Sequence, residues 1–190
     1  MTNEELFLLK KIFQDDLGIK NIFFIDPSAG EADNILLTSD RTPNKKGAEE
    51  LGFEIIPFEL GNLEDETEVL IIFGSYLSEI FSLSDIRAYF DRVPDIFLFT
   101  PHRSELDSMV GIMFPTAMTP EKGGSLTNVD GKVQKFSPVL EVPGDGKAEW
   151  KILAELGSKL NINLNYYEEL LSLEEIFRQM QKEIPFLRNK

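Results

Sequence analysis

Two metal-binding residue types are nearly missing from this sequence, which has no cysteine and a single histidine, His102, in 190 residues. Iron–sulfur clusters are held by cysteine thiolates, so the chain has no ligands for an ordinary cluster. Zinc usually draws three or four ligands from cysteine and histidine, which argues against a zinc site as well. We therefore expect no metal ligands in this chain, and any redox centre that works with it belongs to another chain or another part of the polypeptide.

Positive charge and long apolar runs are also scarce. The chain carries 19 lysine and arginine residues against 33 aspartate and glutamate residues, a net charge of −14. This charge repels a phosphate backbone and an anionic membrane surface, so nucleic acid is not an expected partner. No apolar run approaches the roughly 20 residues that a membrane-spanning helix needs, and no basic segment followed by an apolar core begins the chain. We expect a cytoplasmic protein without a membrane span.

The rest of the composition is that of a globular domain, with 42% hydrophobic and 27% charged residues. The capping-box pattern Thr2-x-x-Glu5 and apolar residues at helical spacing predict an amphipathic helix over residues 2–17. Apolar runs predict strands at 21–25, 53–56, 69–73, 96–99 and 109–114, and helical patterns follow at 48–51, 84–90, 150–160 and 173–183. Helices and strands alternate in this way in α/β proteins.

The predicted architecture is a three-layer α/β domain with a mainly parallel sheet. Residues 69–73, V-L-I-I-F, are apolar without alternation, as expected of a central strand that is covered on both faces. We assign residues 1–149 to the α/β domain, with a hairpin loop at 115–137, and residues 150–190 to C-terminal helices that pack on it.

The most informative stretch covers residues 114–134, where a short apolar segment gives way to a long polar and glycine-rich loop. Loops of this length are usually either disordered or functional. Residues 126–134 predict a tight hairpin, because Asp130-Gly131 suits the positive φ values of a type I′ turn. Two interpretations stay open at this point: a surface hairpin that caps one end of the sheet, or a loop that carries function.

Two further places could carry chemistry. Gly74 and Ser75 follow the predicted central strand, where doubly wound folds bind phosphate, although any sharp turn needs the same glycine. In the loop 100–105, His102 could act as a general base, with Glu105 orienting it and Arg103 holding an anion. No nucleophile stands at a recognisable motif spacing, and a lone histidine is more often an ordinary loop residue. We therefore name no catalytic residue.

The loop also carries a family resemblance. It resembles the loop near the C-terminal end of the molybdopterin-oxidoreductase region in the G subunit of NADH-quinone oxidoreductase. The matching positions are Pro115, Glu121, Lys122, Gly124, Ser125, Asn128, Gly131 and Gln134. Asp130 and Lys132 depart from the pattern. The resemblance continues through Pro143-Gly144 to the segment 149–156 and is specific over about residues 69–160.

The resemblance implies a fold like domains 1–3 of formate dehydrogenase and DMSO reductase. It also implies a subunit of the hydrophilic arm of respiratory complex I, cytoplasmic and peripheral to the inner membrane, with iron–sulfur and NADH-binding subunits as partners. In that subunit the molybdopterin-like region generally holds no molybdenum and serves assembly or stability. The expectation is thus a non-catalytic structural domain with no cofactor of its own.

An alternative of the enzyme class stays open. The chain could be the part of a molybdenum-dependent oxidoreductase that binds molybdopterin guanine dinucleotide, completed by another chain. The cofactor-binding positions that the resemblance implies are Gly74, Ser75, Glu121, Gly124, Asn128, Gly131 and Gln134. Residues 42–52 resemble a segment of the same region, although Lys45 and Lys46 are most simply solvated surface residues. A small ligand-binding domain unrelated to respiration would require the loop match to be accidental.

Overall fold

The computed structural model describes residues 1–25, 33, 42–63, 66–160 and 172–187. Residues 26–32, 34–41, 64–65, 161–171 and 188–190 lie outside the described part of the chain. The helices are α1 (Asn3–Leu9), α2 (Lys45–Glu50), α3 (Leu77–Ile80), α4 (Leu83–Phe90), α5 (Glu149–Lys159) and α6 (Leu173–Glu183). The strands are β1 (Val69–Phe73), β2 (Asp95–Thr100), β3 (Ile112–Pro115), β4 (Gly124–Thr127) and β5 (Val133–Phe136).

Strands β1, β2 and β3 form a parallel sheet in that order. The register places Phe73 opposite Phe99 and Phe99 opposite Phe114. Their rings stack across the three strands, with centroids 4.5 Å and 4.6 Å apart. The predicted α/β class with a parallel sheet is confirmed, and the aromatic stack adds side-chain packing to the hydrogen-bonded register.

Each face of this sheet contacts its own apolar cluster. Ile71 and Phe73 of β1 pack against the larger cluster, which gathers side chains from α1, α2, α5 and α6. Leu70 and Ile72 point to the other face and meet a second cluster that includes Ile86 of α4. Covering on both faces explains why β1 lacks an alternating polar pattern.

The N-terminal helix lies inside the larger cluster. Its capping box forms as predicted, because Thr2 Oγ1 accepts from the Glu5 amide at 3.3 Å and Glu5 Oε2 accepts from the Thr2 amide at 2.8 Å. The chain then continues in wider π-type turns through Lys10–Asp16, and Gly18 follows with φ +70°. The amphipathic prediction was wrong for α1 itself, since all seven of its residues are buried. A helix that is enclosed on every side need not alternate apolar and polar faces.

Two predicted strands are not present as strands. One isolated parallel bridge joins Phe24, in the first of these runs, to Pro57, which directly follows the second run at 53–56. The Phe24 amide donates to the Ile56 carbonyl at 2.8 Å, and the Phe24 carbonyl accepts from the Phe58 amide at 2.9 Å. These apolar runs pack through their side chains instead, as Phe24 does edge-on against Phe53 at 5.6 Å. Apolar content alone predicts burial and does not specify a hydrogen-bonded ladder.

The hairpin forms with a different turn from the one predicted. Strands β4 and β5 are antiparallel, and the Gly131 amide donates to the Asn128 carbonyl at 2.9 Å. Gly131 has φ +77°, but Asp130 lacks the positive φ that a type I′ turn would require. The loop is therefore a three-residue connection over residues 129–131 with glycine in the left-handed position. No helix in the described part of the chain is long and apolar enough to cross a membrane.

Candidate functional site

The carboxyl ends of β1 and β2 bring together two features that the sequence separates by 27 residues. Gly74 leaves β1 with φ +90°, and its amide donates to the Phe99 carbonyl at 2.7 Å. The next residue, Ser75, is buried, and its Oγ lies 2.8 Å from Nε2 of His102. This edge is where open parallel sheets bind ligands, so its residues form the first candidate site.

The Ser75–His102 pair lacks the arrangement of a catalytic pair. Ser75 is only 5% exposed, so a substrate has little access to its hydroxyl. Among the described contacts no carboxylate reaches the His102 ring, and Arg103 pairs with Asp107 at 3.4 Å. A nucleophile–base pair needs a third group that orients the base, and Glu105 does not supply it. The hydrogen bond instead ties the turn after β1 to the loop after β2.

The second candidate site is the polar loop, which proves to be an internal contact surface. The outer edge of β4 faces the first turn of α1, with Ser125 and Thr127 both buried. The Ser125 amide and hydroxyl donate to the two carboxylate oxygens of Glu4 at 2.8 Å and 2.9 Å. The Asn3 amide nitrogen lies 3.1 Å from both Ser125 Oγ and Thr127 Oγ1. The Thr127 amide donates to Asn44 Oδ1 at 2.7 Å.

Two glycines allow these segments to approach. Gly124 has φ +148°, and a Cβ there would lie 2.7 Å from Cγ2 of Thr2. A Cβ on Gly47 of α2 would collide with the side-chain oxygens of Asn3 and Asn44. Glycine is therefore required at both positions by contacts within the chain.

A buried ion cluster joins α1, the loop and α5. The Nζ of Lys122 lies 2.9 Å from Glu5 Oε1 and 2.6 Å from Glu149 Oε2, and these side chains are 6%, 0% and 12% exposed. Burial and the charge of Glu5 raise the pKa of Glu149 to about 7, against the opposing charge of Lys122. Burial also acts to raise the pKa of Glu5, but the charges of Lys122 and the Met1 amine outweigh it and the pKa is lowered. Glu5 is thus the charged partner of Lys122.

A third buried carboxyl, that of Glu4, is paired with neutral donors. Burial raises its pKa above the ordinary value. Hydrogen bonds from Ser125, from its own amide and from the Thr2 side chain act in the opposite direction. A buried carboxylate with this many donors is satisfied by hydrogen bonding, without a salt bridge.

The remaining positions implied by the resemblance have local roles in the hairpin. Glu121 accepts a hydrogen bond from the Met118 amide at 2.8 Å, closing a single 3₁₀ turn. Asn128 Oδ1 accepts from the amides of Asp130 and Lys132 at 3.1 Å and 2.8 Å. Gly131 provides the left-handed turn position, and Gln134 is exposed on β5 opposite Leu126. In the described part of the chain no hydrogen bond links these residues to Ser75 or Gly74.

A groove lies beside the hairpin, near these residues. It has a volume of about 250 Å³, and its lining consists of Thr42, Pro43, Asn44, Lys45, Lys46, Thr127, Asn128 and Val129. Lys46 is paired with Glu49 at 3.1 Å, which offsets its charge. Sites for drug-sized ligands usually enclose about 300–1,000 Å³. The groove by itself is smaller than such sites, so its lining residues could hold only a part of a pterin dinucleotide.

Among the described residues, few other groups could meet a ligand. The Thr116 hydroxyl, at the end of β3, is buried without a hydrogen-bond partner among the described residues, which a water molecule would satisfy. Among the described residues no three histidine, aspartate or glutamate side chains group as metal ligands.

Sequence comparison finds a family similarity in the middle of the chain. The sequence profile of the molybdopterin oxidoreductase family matches residues 96–159, from β2 to the end of α5. This part of the chain, about a third of its length, is therefore similar to the molybdopterin oxidoreductase family, in agreement with the parallel α/β fold.

Individual relatives match about half of the chain. It is 28% identical over 91 residues to the NADPH-Fe(3+) oxidoreductase subunit alpha of Geobacter sulfurreducens, covering 48% of this chain and 11% of that protein. It is 33% identical over 93 residues to the F420-dependent formate dehydrogenase 2 subunit alpha of Methanococcus maripaludis, covering 49% and 13%. The formate dehydrogenase 1 subunit alpha of the same organism is 30% identical over 97 residues, covering 49% and 13%. The chain spans about a tenth of the length of these curated relatives.

Sequence reasoning missed the buried polar contacts of α1. The local pattern identifies Glu5 only as a capping residue and does not single out Asn3 or Glu4. The available signal was weak, because three polar residues at a helix start usually face solvent. Lys122 lies in the family pattern, but nothing in the pattern indicates its buried partners.

Proposed function

We propose that this chain is a non-catalytic structural domain of a redox complex, built on the molybdopterin oxidoreductase fold. The observation that carries the proposal is the internal use of the polar loop. Ser125 and Thr127 donate to Glu4 and Asn44 of the same chain, and Asn128 closes its own turn. Polar groups that are already paired gain little from a ligand, because binding must first break those hydrogen bonds.

The more specific form of the proposal is a domain like that of the G subunit in the hydrophilic arm of an NADH-quinone oxidoreductase. It rests on the sequence resemblance in the loop 114–134. In this role the domain contributes to assembly or stability, and its partners are iron–sulfur and NADH-binding subunits of a complex peripheral to the inner membrane. The absence of cysteine is compatible with electron transfer taking place on those partners.

The second candidate function is the cofactor-binding part of a molybdenum-dependent oxidoreductase. It is favoured by the relatives, two of which are named as formate dehydrogenase subunits. It is also favoured by the meeting of Gly74, Ser75 and His102 at the carboxyl edge of the sheet. In this case the chain would supply a part of the pocket, and another chain would complete the site around molybdopterin guanine dinucleotide. The bound pterin would supply the redox chemistry.

Purification of the native protein separates the two functions. The chromosomal gene is tagged after the last codon, and the recovered material is analysed by mass spectrometry, visible absorption and metal content, with an untagged strain as control. The structural role predicts respiratory iron–sulfur and NADH-binding subunits, with no molybdenum in proportion to the bait. Stoichiometric molybdenum or tungsten without respiratory subunits would overturn it in favour of the second function. Recovery of neither partners nor metal would contradict both.

A further inference from the structure

The structure assigns a carboxylate-binding site to the outer edge of β4, which Glu4 of the same chain fills. In an antiparallel pair, alternate residues of an edge strand point their amides away from the partner strand. The outward amides of β4 include those of Ser125 and Thr127, and no third strand covers them among the described residues. Side-chain oxygens accept from these two amides in place of a third strand. The Ser125 amide donates to the Glu4 carboxylate, and the Thr127 amide donates to the Asn44 carboxamide. This inference goes beyond the proposed function and does not depend on it.

The donor geometry at Ser125 fits the two oxygens of a carboxylate. Its amide and hydroxyl reach separate oxygens of Glu4 at 2.8 Å and 2.9 Å, a two-point contact that a single-oxygen acceptor cannot make. Asn3 orients the hydroxyl, because the Asn3 amide nitrogen donates to Ser125 Oγ at 3.1 Å. Because Ser125 Oγ accepts from Asn3 through one of its two lone pairs, its hydroxyl hydrogen remains to point at the Glu4 carboxylate.

The site is enclosed and built from rigid elements. Ser125 is fully buried and Glu4 is 2% exposed, so water does not compete for these donors. Gly124 lets the α1 turn lie directly on the strand, with Glu4 Oε2 only 3.0 Å from the position of a Cβ. The ligand class is therefore a small monocarboxylate or an acidic side chain, presented at the place that Glu4 now occupies.

Chemical rescue tests this assignment. In Glu4→Ala the carboxylate is removed and a space of its size remains beside Ser125. Acetate at pH 7 should raise the melting temperature of this variant, relative to chloride at the same ionic strength. The expected rise is about 1 °C at an acetate concentration equal to its dissociation constant and about 4 °C at ten times that concentration. The wild type should show no such acetate-specific rise.

Two controls keep the test decisive. Glu155→Ala removes an exposed carboxylate from α5 and should not respond to acetate. The ¹⁵N–¹H signal of Ser125 should shift on acetate titration of Glu4→Ala and stay unchanged in the wild type. If Glu4→Ala does not fold, Glu4→Gln replaces it, and its Ser125 amide should move upfield as the acceptor loses charge. An equal response of all variants to acetate, or an unmoved Ser125 signal, would overturn the assignment.

Discussion

Replacement of Glu149 by glutamine should stabilise the protein above neutral pH, the opposite of the usual result of breaking an ion cluster. One lysine, Lys122, faces two buried carboxyls, so full ionisation leaves one negative charge uncompensated. Glutamine keeps an oxygen that can accept from Lys122 but never becomes charged. The Lys122–Glu5 pair stays intact in the variant.

The size and sign of this stabilisation follow from the raised pKa of Glu149. A folded-state pKa of about 7, against a reference of 4.5, means that the folded protein holds a proton which the unfolded chain has released. Stability from this group therefore falls as the pH rises from about 4.5 to 7 and is constant above. The full difference is about 3 kcal/mol, since each pKa unit corresponds to about 1.4 kcal/mol. The Glu149→Gln variant does not lose this stability as the pH rises, because glutamine does not ionise.

The assay is urea unfolding of wild type and variant at pH 5, 6, 7 and 8. The difference in unfolding free energy should be below about 1 kcal/mol at pH 5 and reach about 3 kcal/mol in favour of Glu149→Gln at pH 8. The matched control is Glu155→Gln on the same helix, whose exposed pair with Lys147 should contribute less than about 1 kcal/mol at every pH. A variant that is less stable than wild type at pH 8 would refute the reasoning, because Glu149 would then be a charged partner that Lys122 needs.

Three further substitutions test the internal contacts by the same unfolding measurements. Gly124→Ala should lower the free energy of unfolding by about 2–4 kcal/mol, because the new methyl group meets Thr2 at a φ that strains alanine. The control Gly61→Ala, where a Cβ meets nothing within 4 Å, should lower it by less than about 1 kcal/mol. Equal losses in the two variants would contradict the close approach of Thr2 to Gly124. Lys122→Met should lower the free energy of unfolding by about 3–5 kcal/mol, because it leaves two buried carboxyls without their cation. The control Lys147→Met, which breaks an exposed pair, should lower it by less than about 1 kcal/mol. An unchanged stability of Lys122→Met would show that the cluster is not ionised. Phe99→Ala should cost about 3–5 kcal/mol as the centre of the ring stack, and a loss below about 1 would mean that the stack is not packed.

Several features could be read from local sequence because local interactions produce them. The strand at residues 69–73 has the predicted bounds, since a β-branched apolar run needs cover on both faces whatever supplies it. The capping box of α1 and the left-handed glycine of the hairpin depend on residues at most four positions apart. The parallel α/β class follows from the order of such elements along the chain.

The contents of the candidate site depended on tertiary structure, because its contacts join residues far apart in the chain. The partner of Ser125 is Glu4, 121 positions earlier, and the partner of Lys122 is Glu5, 117 positions earlier. Local patterns identify acidic residues at a helix start as solvated, and only burial against β4 turns them into ligands of the loop. The missing strand around Phe24 has the same origin, since side-chain packing there took the place of a hydrogen-bonded ladder. The sequence alone determined the central strand, the capping box and the α/β class, and packing decided that the polar loop holds the N-terminal helix.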